Sequence, residues 1–211
     1  MKKEVTINLE SLQLYGNFTI PEDAIGLVLF AHGSGSSRFS PRNNFVAQTL
    51  NQAGVATLLM DLLTPEEEKV DMVTRKLRFD IPMLAHRVVA TTKWVKEQDN
   101  LKEFALGYFG SSTGAAAALI AATHVPEIKA VVSRGGRPDL ALDYLPQVQA
   151  ATLLIVGGLD EPVITMNKTA LQALPAEKKL EIIPGATHLF EEPGKLEEVA
   201  KLAANWFKAY L

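Results

Sequence analysis

The chain has 211 residues, 47% of them apolar and 21% charged. These are ordinary globular proportions and exclude a disordered chain, a coiled coil and a collagen-like repeat. The 21 basic and 24 acidic residues leave a formal net charge of −3, so the charge balance marks no nucleic-acid or anionic-membrane partner. The chain has no cysteine, which removes disulfides, thiolate metal sites and a cysteine nucleophile together.

In chain order, residues 5–9 and 12–20 alternate apolar and polar positions around Glu10 and Ser11. They read as an antiparallel hairpin with one wet face. Residues 26–31, 55–60, 104–108 and 129–132 are nearly continuous apolar runs, followed by 153–156 and 180–183. Such runs suit strands covered on both faces of a parallel sheet. Between them, helical spacing predicts helices over 43–53, 81–96, 113–123 and 196–210, the last with Leu196, Val199, Ala200, Ala203 and Phe207 on one face. A short helix near 140–145 and another after Asp160 complete the alternation. The stretch 62–80, containing TPEEEKVD, reads as a polar excursion before a helix and as the wall of any nearby pocket.

The expected architecture is therefore α/β: an eight-stranded, mostly parallel sheet with an N-terminal antiparallel hairpin and helices on both faces. One domain over residues 1–211 is expected. The opening MKKEVTINLE lacks the apolar run of a signal peptide, and AAAALIAA is far shorter than the ~20 residues of a membrane span, so a cytoplasmic protein is expected. The apolar stripe of the terminal helix reads as core, and a homodimer contact there stays open.

The chemistry starts at FALGYFGSSTGAAAAL, where a strand ends and an alanine-rich helix begins. Gly110, Ser112 and Gly114 form a G-x-S-x-G turn. Its middle serine is displayed on strained backbone at a helix N-terminus, with glycines where a Cβ would clash. The bland alternative is a simple tight turn. Asp160 follows Gly157 and Gly158 after another strand, where it would equally serve as a helix N-cap. His188 follows the last strand, and a lone loop histidine is usually a surface residue. The conjunction weighs more than its parts. Ser112, Asp160 and His188 each lie just past the C-terminal end of a predicted parallel strand, the edge at which such sheets bind ligands.

After residues 26–31 come His32, Gly33, Ser34 and Gly35, a small-residue loop able to turn backbone N–H groups toward an oxyanion. Ser34, with Thr113 after the nucleophile, is the candidate oxyanion-hole pair. A dinucleotide loop is the rival, but Arg38 stands where a third glycine is needed. His32 reads as holding backbone, and His86 and His124 read as structural.

These residues, taken over 26–211, resemble a small α/β-hydrolase without a cap, similar to the dienelactone-hydrolase-like carboxylesterases. The resemblance implies attack by Ser112 on a short-chain carboxylic ester, proton transfer by His188, orientation of His188 by Asp160, and no cofactor or metal. Dienelactone hydrolase itself uses a cysteine nucleophile, so a serine here favours a carboxylesterase. Thioester, lactone or perhydrolysis chemistry on the same triad is the alternative, and a non-catalytic binding protein of this fold is another. Asp139 or Asp143 would replace Asp160 if the latter were misplaced. Segment 133–150 is too short for a cap domain, which favours a small-molecule ester as partner. Of the loop arginines Arg38, Arg42, Arg134 and Arg137, Arg38 and Arg134 are the candidates for holding a substrate carboxylate. The alternative is that these arginines pair with loop acids such as Glu66, Glu67, Glu68 or Asp80.

Overall fold

The computed structural model describes residues 2–9 and 11–211. Eight strands form one sheet: β1 (Lys2–Leu9), β2 (Leu12–Thr19), β3 (Leu27–Ala31), β4 (Ala56–Met60), β5 (Leu106–Ser111), β6 (Ile128–Arg134), β7 (Ala151–Gly157) and β8 (Lys178–Ile183). Their order across the sheet is β1-β2-β4-β3-β5-β6-β7-β8. The β1–β2 hairpin is antiparallel, β2 meets β4 antiparallel, and every pairing from β4 to β8 is parallel. Glu10, expected at the hairpin turn, lies outside the described residues.

Six α-helices cover the sheet: α1 (Pro41–Gln52), α2 (Pro65–Thr74), α3 (Ile81–Lys96), α4 (Thr113–His124), α5 (Glu161–Ala173) and α6 (Lys195–Tyr210). The alternation of side chains along each central strand divides the core into two layers. Val28, Phe30, Phe109 and Val132 pack with Val46 and Leu50 of α1 and Val199 and Phe207 of α6. Leu27, Leu29, Tyr108 and Val131 face the other way, onto Leu84 and Val88 of α3 and Leu119 of α4. Helix α4 is buried over ten of its 12 residues, and its alanines let it approach the sheet closely.

Helix α2, followed by a 3₁₀ turn at Leu77–Phe79, is absent from the polar reading of 62–80. Its start carries a full signal. Thr64 accepts from the Glu67 N–H at 3.2 Å, the Glu67 carboxylate accepts from the Thr64 N–H at 2.8 Å, and Pro65 occupies the first turn. The remaining helices and the strands follow the predicted order, with ends shifted by a few residues. Between β6 and β7 the chain makes two short 3₁₀ turns, Pro138–Ala141 and Leu145–Gln147. Among the described residues no helix is long and apolar enough to cross a membrane.

Candidate active site

Ser112 lies between the last residue of β5 and the first of α4, with φ 50° and ψ −121°. A non-glycine residue there is strained, and the surrounding chain holds it in place. Its N–H donates to the Arg134 carbonyl at 3.1 Å, and its carbonyl accepts from Ala115 and Arg137, both at 3.1 Å. The flanking glycines are required by contact. A Cβ on Gly110 would lie 2.4 Å from Ala115 Cα, and one on Gly114 would lie 2.3 Å from the carbonyl oxygens of Ala31 and His32. The main chain of α4 therefore rests directly on the end of β3. The tight-turn alternative and the nucleophile reading describe the same geometry here, with the serine as its strained centre.

Asp160 and His188 come from the two loops after β7 and β8. Asp160 occupies the N-cap position of α5, but its side chain makes no capping hydrogen bond. It accepts instead from His188 Nδ1 at 2.6 Å. Since a carboxylate only accepts, this bond places the ring proton on Nδ1 and leaves Nε2 as the acceptor. Asp139 is held in a two-pronged pair by Arg137, at 2.8 Å for each contact. The loops are locked together through main chain. Gly158 N–H donates to Ile183 O at 2.8 Å and Leu159 N–H to Ala186 O at 2.9 Å. A Cβ on Gly157 would sit 2.5 Å from the carbonyl oxygens of Ala186 and Thr187. Behind the histidine ring, Gly135 has φ +52°, and a Cβ on it would sit 3.5 Å from His188 Cε1.

Ser112, His188, Ser34, Arg42 and Arg134 line one cavity of about 210 Å³. Among the described residues no hydrogen bond joins the Ser112 hydroxyl to His188; such contacts are often long before substrate binds. Among the same residues, Thr113 N–H and Ser34 N–H enter no turn, loop or cap hydrogen bond, so both remain free to donate. Gly33 packs on Ser112: a Cβ on it would lie 3.2 Å from Ser112 Cβ.

His32 supports that loop. Leu62 N–H donates to its Nε2 at 3.1 Å, so its Nδ1 carries the proton and donates to Gly33 O at 2.9 Å. Burial pushes its pKa below the ordinary value, against smaller raising effects from Gly33 O and Asp61. A second cavity, of about 190 Å³, lies on the other side of the loop. It is lined by Leu62, Leu63, Met72, Leu84 and Thr113, with Asp71 and Arg78 among its polar groups.

The arginines divide. Arg38 is not brought to either cavity; it is paired with Asp61 and Glu4 and lies 4.2 Å from the Phe39 ring centroid. In place of the expected acids Glu66–Glu68 or Asp80, its partners come from β1 and the end of β4. Arg42 pairs with Glu191 at 2.8 Å. Arg134 is brought to the cavity with Ser112. Sequence reasoning missed Asn43, which donates to Ser111 Oγ at 3.4 Å and accepts from Arg134 Nη2 at 3.2 Å. An asparagine in the first turn of an amphipathic helix carries no signal of this.

Residues 21–211 match the dienelactone hydrolase family model. The chain belongs to the dienelactone hydrolase family. The solved dienelactone hydrolase from Anabaena variabilis is 57% identical, covers 100% of this chain and 98% of its own, and superposes with a TM-score of 0.99. Est1E from Butyrivibrio proteoclasticus, at 17% identity, shares the fold with a TM-score of 0.82 over 98% of each chain. A curated Mycobacterium tuberculosis relative, provisionally named a phosphoribosyl transferase, is 52% identical over 210 residues; these are 99% of this chain and 46% of that protein. The chain thus spans about half the length of the curated relatives it matches. The fold is that of the α/β-hydrolases expected from the motifs.

Proposed function

We propose that this protein is a serine hydrolase that cleaves short-chain carboxylic esters through an acyl-enzyme on Ser112. The observation that carries the reading is the 2.6 Å bond from His188 Nδ1 to Asp160, because it leaves Nε2 as the proton acceptor in the cavity that Ser112 lines. Ser112 Oγ attacks the ester carbonyl carbon, and His188 Nε2 takes the hydroxyl proton. The carbonyl oxygen becomes an oxyanion facing the N–H groups of Thr113 and Ser34. Collapse breaks the bond to the alcohol oxygen, which receives the proton from His188. A water then repeats the sequence on the acyl-enzyme, releasing the acid and restoring Ser112. Asp160 holds the ring orientation and stabilises the imidazolium.

The two small cavities and the short 3₁₀ connection after β6 support a small-molecule ester. The transferase name of the mycobacterial relative belongs to a protein of more than twice the matched length. In this chain the Gly33–Ser34–Gly35 loop packs on Ser112, which favours an oxyanion loop over a phosphate loop. The test is a fluorophosphonate probe with p-nitrophenyl acetate turnover. Labelling is expected at Ser112, and Ser112→Ala should lower kcat by about 10⁴–10⁶. Labelling at another residue, or a Ser112→Ala rate within about tenfold of the native one, would overturn the reading.

A further inference from the structure

Threonines inside the helices satisfy their hydroxyls backward along the chain. Thr49, Thr92, Thr165 and Thr169 each donate to the carbonyl four residues earlier, at distances from 2.8 to 3.2 Å. Thr113 has no such carbonyl, because it is the first residue of α4 and the residue four earlier, Phe109, lies in β5. Its hydroxyl is buried without a partner, and the residue is only 3% exposed. Thr91 and Ser133 carry the other buried, unpaired hydroxyls of the described residues, and they line neither cavity beside the loop after β3. Thr113 lines the cavity of about 190 Å³. An unpaired buried hydroxyl is destabilising, and a valine would fill the same space without that cost.

The same cavity holds a second unused donor. Arg78 spends Nε and Nη2 on the carboxylate and carbonyl of Asp71, at 2.6 and 3.3 Å. Its Nη1 enters no hydrogen bond among the described residues and reaches the loop after β3, where a Cβ on Gly35 would lie 3.0 Å from it. The remaining lining is Leu62, Leu63, Met72 and Leu84, with the carboxylates of Asp61 and Glu68. Glu68 pairs with no base among the described residues, and Asp71 already compensates Arg78. Two free donors therefore call for an oxygen acceptor, while the surrounding acids repel an anion. A neutral hydroxyl answers both: its oxygen accepts, and its proton has carboxylates to donate to.

The cavity lies where the acyl group goes. An ester bound to Ser112 places its departing oxygen beside His188, which returns the proton to it, and its carbonyl oxygen at the Thr113 N–H. The acyl chain then runs past the Thr113 side chain, which leaves the same Cα as that N–H.

We infer that the acyl group of the substrate is short, uncharged and hydroxylated on carbon 2 or 3, with its hydroxyl oxygen accepting from Thr113 Oγ1 and Arg78 Nη1. The inference rests on the ester-hydrolase reading above and names the acyl class for that site.

The experiment compares kcat/KM for ethyl 2-hydroxybutyrate, ethyl 3-hydroxybutyrate and ethyl butyrate, with ethyl 3-methoxybutyrate as an acceptor that cannot donate. Native enzyme should favour one hydroxy ester over ethyl butyrate by about tenfold, with the methoxy ester below it. The favoured ester fixes the carbon that carries the hydroxyl. In Thr113→Val the hydroxy-to-plain ratio should fall toward one, and in Thr113→Ser it should be kept. A native ratio near one, which would leave the Thr113 hydroxyl to water, or an unchanged ratio in Thr113→Val would overturn the inference. Urea unfolding supplies a separate check: Thr113→Val should be at least as stable as the native protein, and a clear loss would mean that the hydroxyl already has a partner in the fold. Calorimetric binding of 2- and 3-hydroxybutyramide against butyramide reads the subsite without turnover. Tighter binding of a hydroxyamide by about tenfold, lost in Thr113→Val, supports the subsite even if no ester is cleaved, and equal binding overturns it. Failure of fluorophosphonate labelling at Ser112 would count against the hydrolase reading alone.

Discussion

The two walls of the second cavity are built by different means. On one side, the Ser112 elbow and the loop after β3 are main chain packed on main chain, with Gly114 against the carbonyls of Ala31 and His32 and Gly33 against Ser111 and Ser112. On the other side, the turn after α2 is held onto it by one buried carboxylate. Asp71 accepts from Leu77 N–H at 2.8 Å, Arg78 N–H at 3.1 Å and Arg78 Nε at 2.6 Å. The outer surface of this wall is apolar and wet: Val73 is 85% exposed and Val70 56%. The contrast separates two tasks. In the proposed reaction, N–H groups that meet a developing negative charge must not move, which fits a backbone fixed by steric contact. A wall that only shapes the space for an acyl group can hang on a few polar bonds.

That contrast can be broken at several points. The largest effect belongs to the partner of the base: Asp160→Asn should lower kcat by about 10⁴ while leaving the fold intact, measured by ester turnover beside circular dichroism. A near-native rate would mean that another group orients His188. Next, Gly114→Ala should cost about 3 kcal/mol or more, since its methyl group would meet backbone that cannot rotate away. Urea unfolding measures this, and a loss under about 1 kcal/mol would show the elbow to be softer than the contacts imply. Asp71→Ala should cost less, roughly 2 kcal/mol. It should loosen α2 selectively, raising its amide exchange and KM more than kcat. An exchange increase that reached β5 as strongly as α2 would erase the distinction between the walls.

The smallest effect concerns pH. His32 is buried and its pKa is depressed below 6.5, so the unfolded chain takes up the proton first. The stability it contributes is complete above about 6.5 and is lost as pH falls below that, at up to about 1.4 kcal/mol per unit. Asp71 is also depressed: burial alone would raise its pKa, but the Arg78 side chain and the N–H groups of Arg78 and Leu77 together outweigh burial. Its contribution is present above the ordinary value of 3.8 and is lost only below it. At pH 5 the two walls should therefore separate, with His32→Gln removing the decline in urea midpoint between pH 7 and 5 and Asp71→Ala leaving it in place.

Much of this is legible in the sequence, for definite reasons. Strands covered on both faces write continuous apolar runs, and α3 can be placed at 81–96 because its apolar spacing and its Asp80 cap agree. Gly110, Ser112 and Gly114 are readable because the elbow is enforced by local sterics, which spacing records. What spacing does not record is burial at a strand end. The sequence pattern puts Arg134 in a loop, whereas β6 continues through it and buries its side chain. Arg38 escapes the sequence for the same kind of reason. Its partners Asp61 and Glu4 come from strands brought together only by the sheet order. Helix α2 hides because Val70, Met72 and Val73 face solvent, which defeats an amphipathic reading, although Thr64 and Glu67 mark its start.

The pinning of the turn after β7 onto the 186–187 segment has a consequence for how the machinery can fail. With Gly158 and Leu159 bonded to Ile183 and Ala186, the acid and the imidazole travel as one body. Thermal drift or a distant mutation would then leave their mutual alignment intact and would change only how far the pair stands from the hydroxyl. Loss of activity in such variants would show as a slower first proton transfer, with the ring's tautomer unchanged.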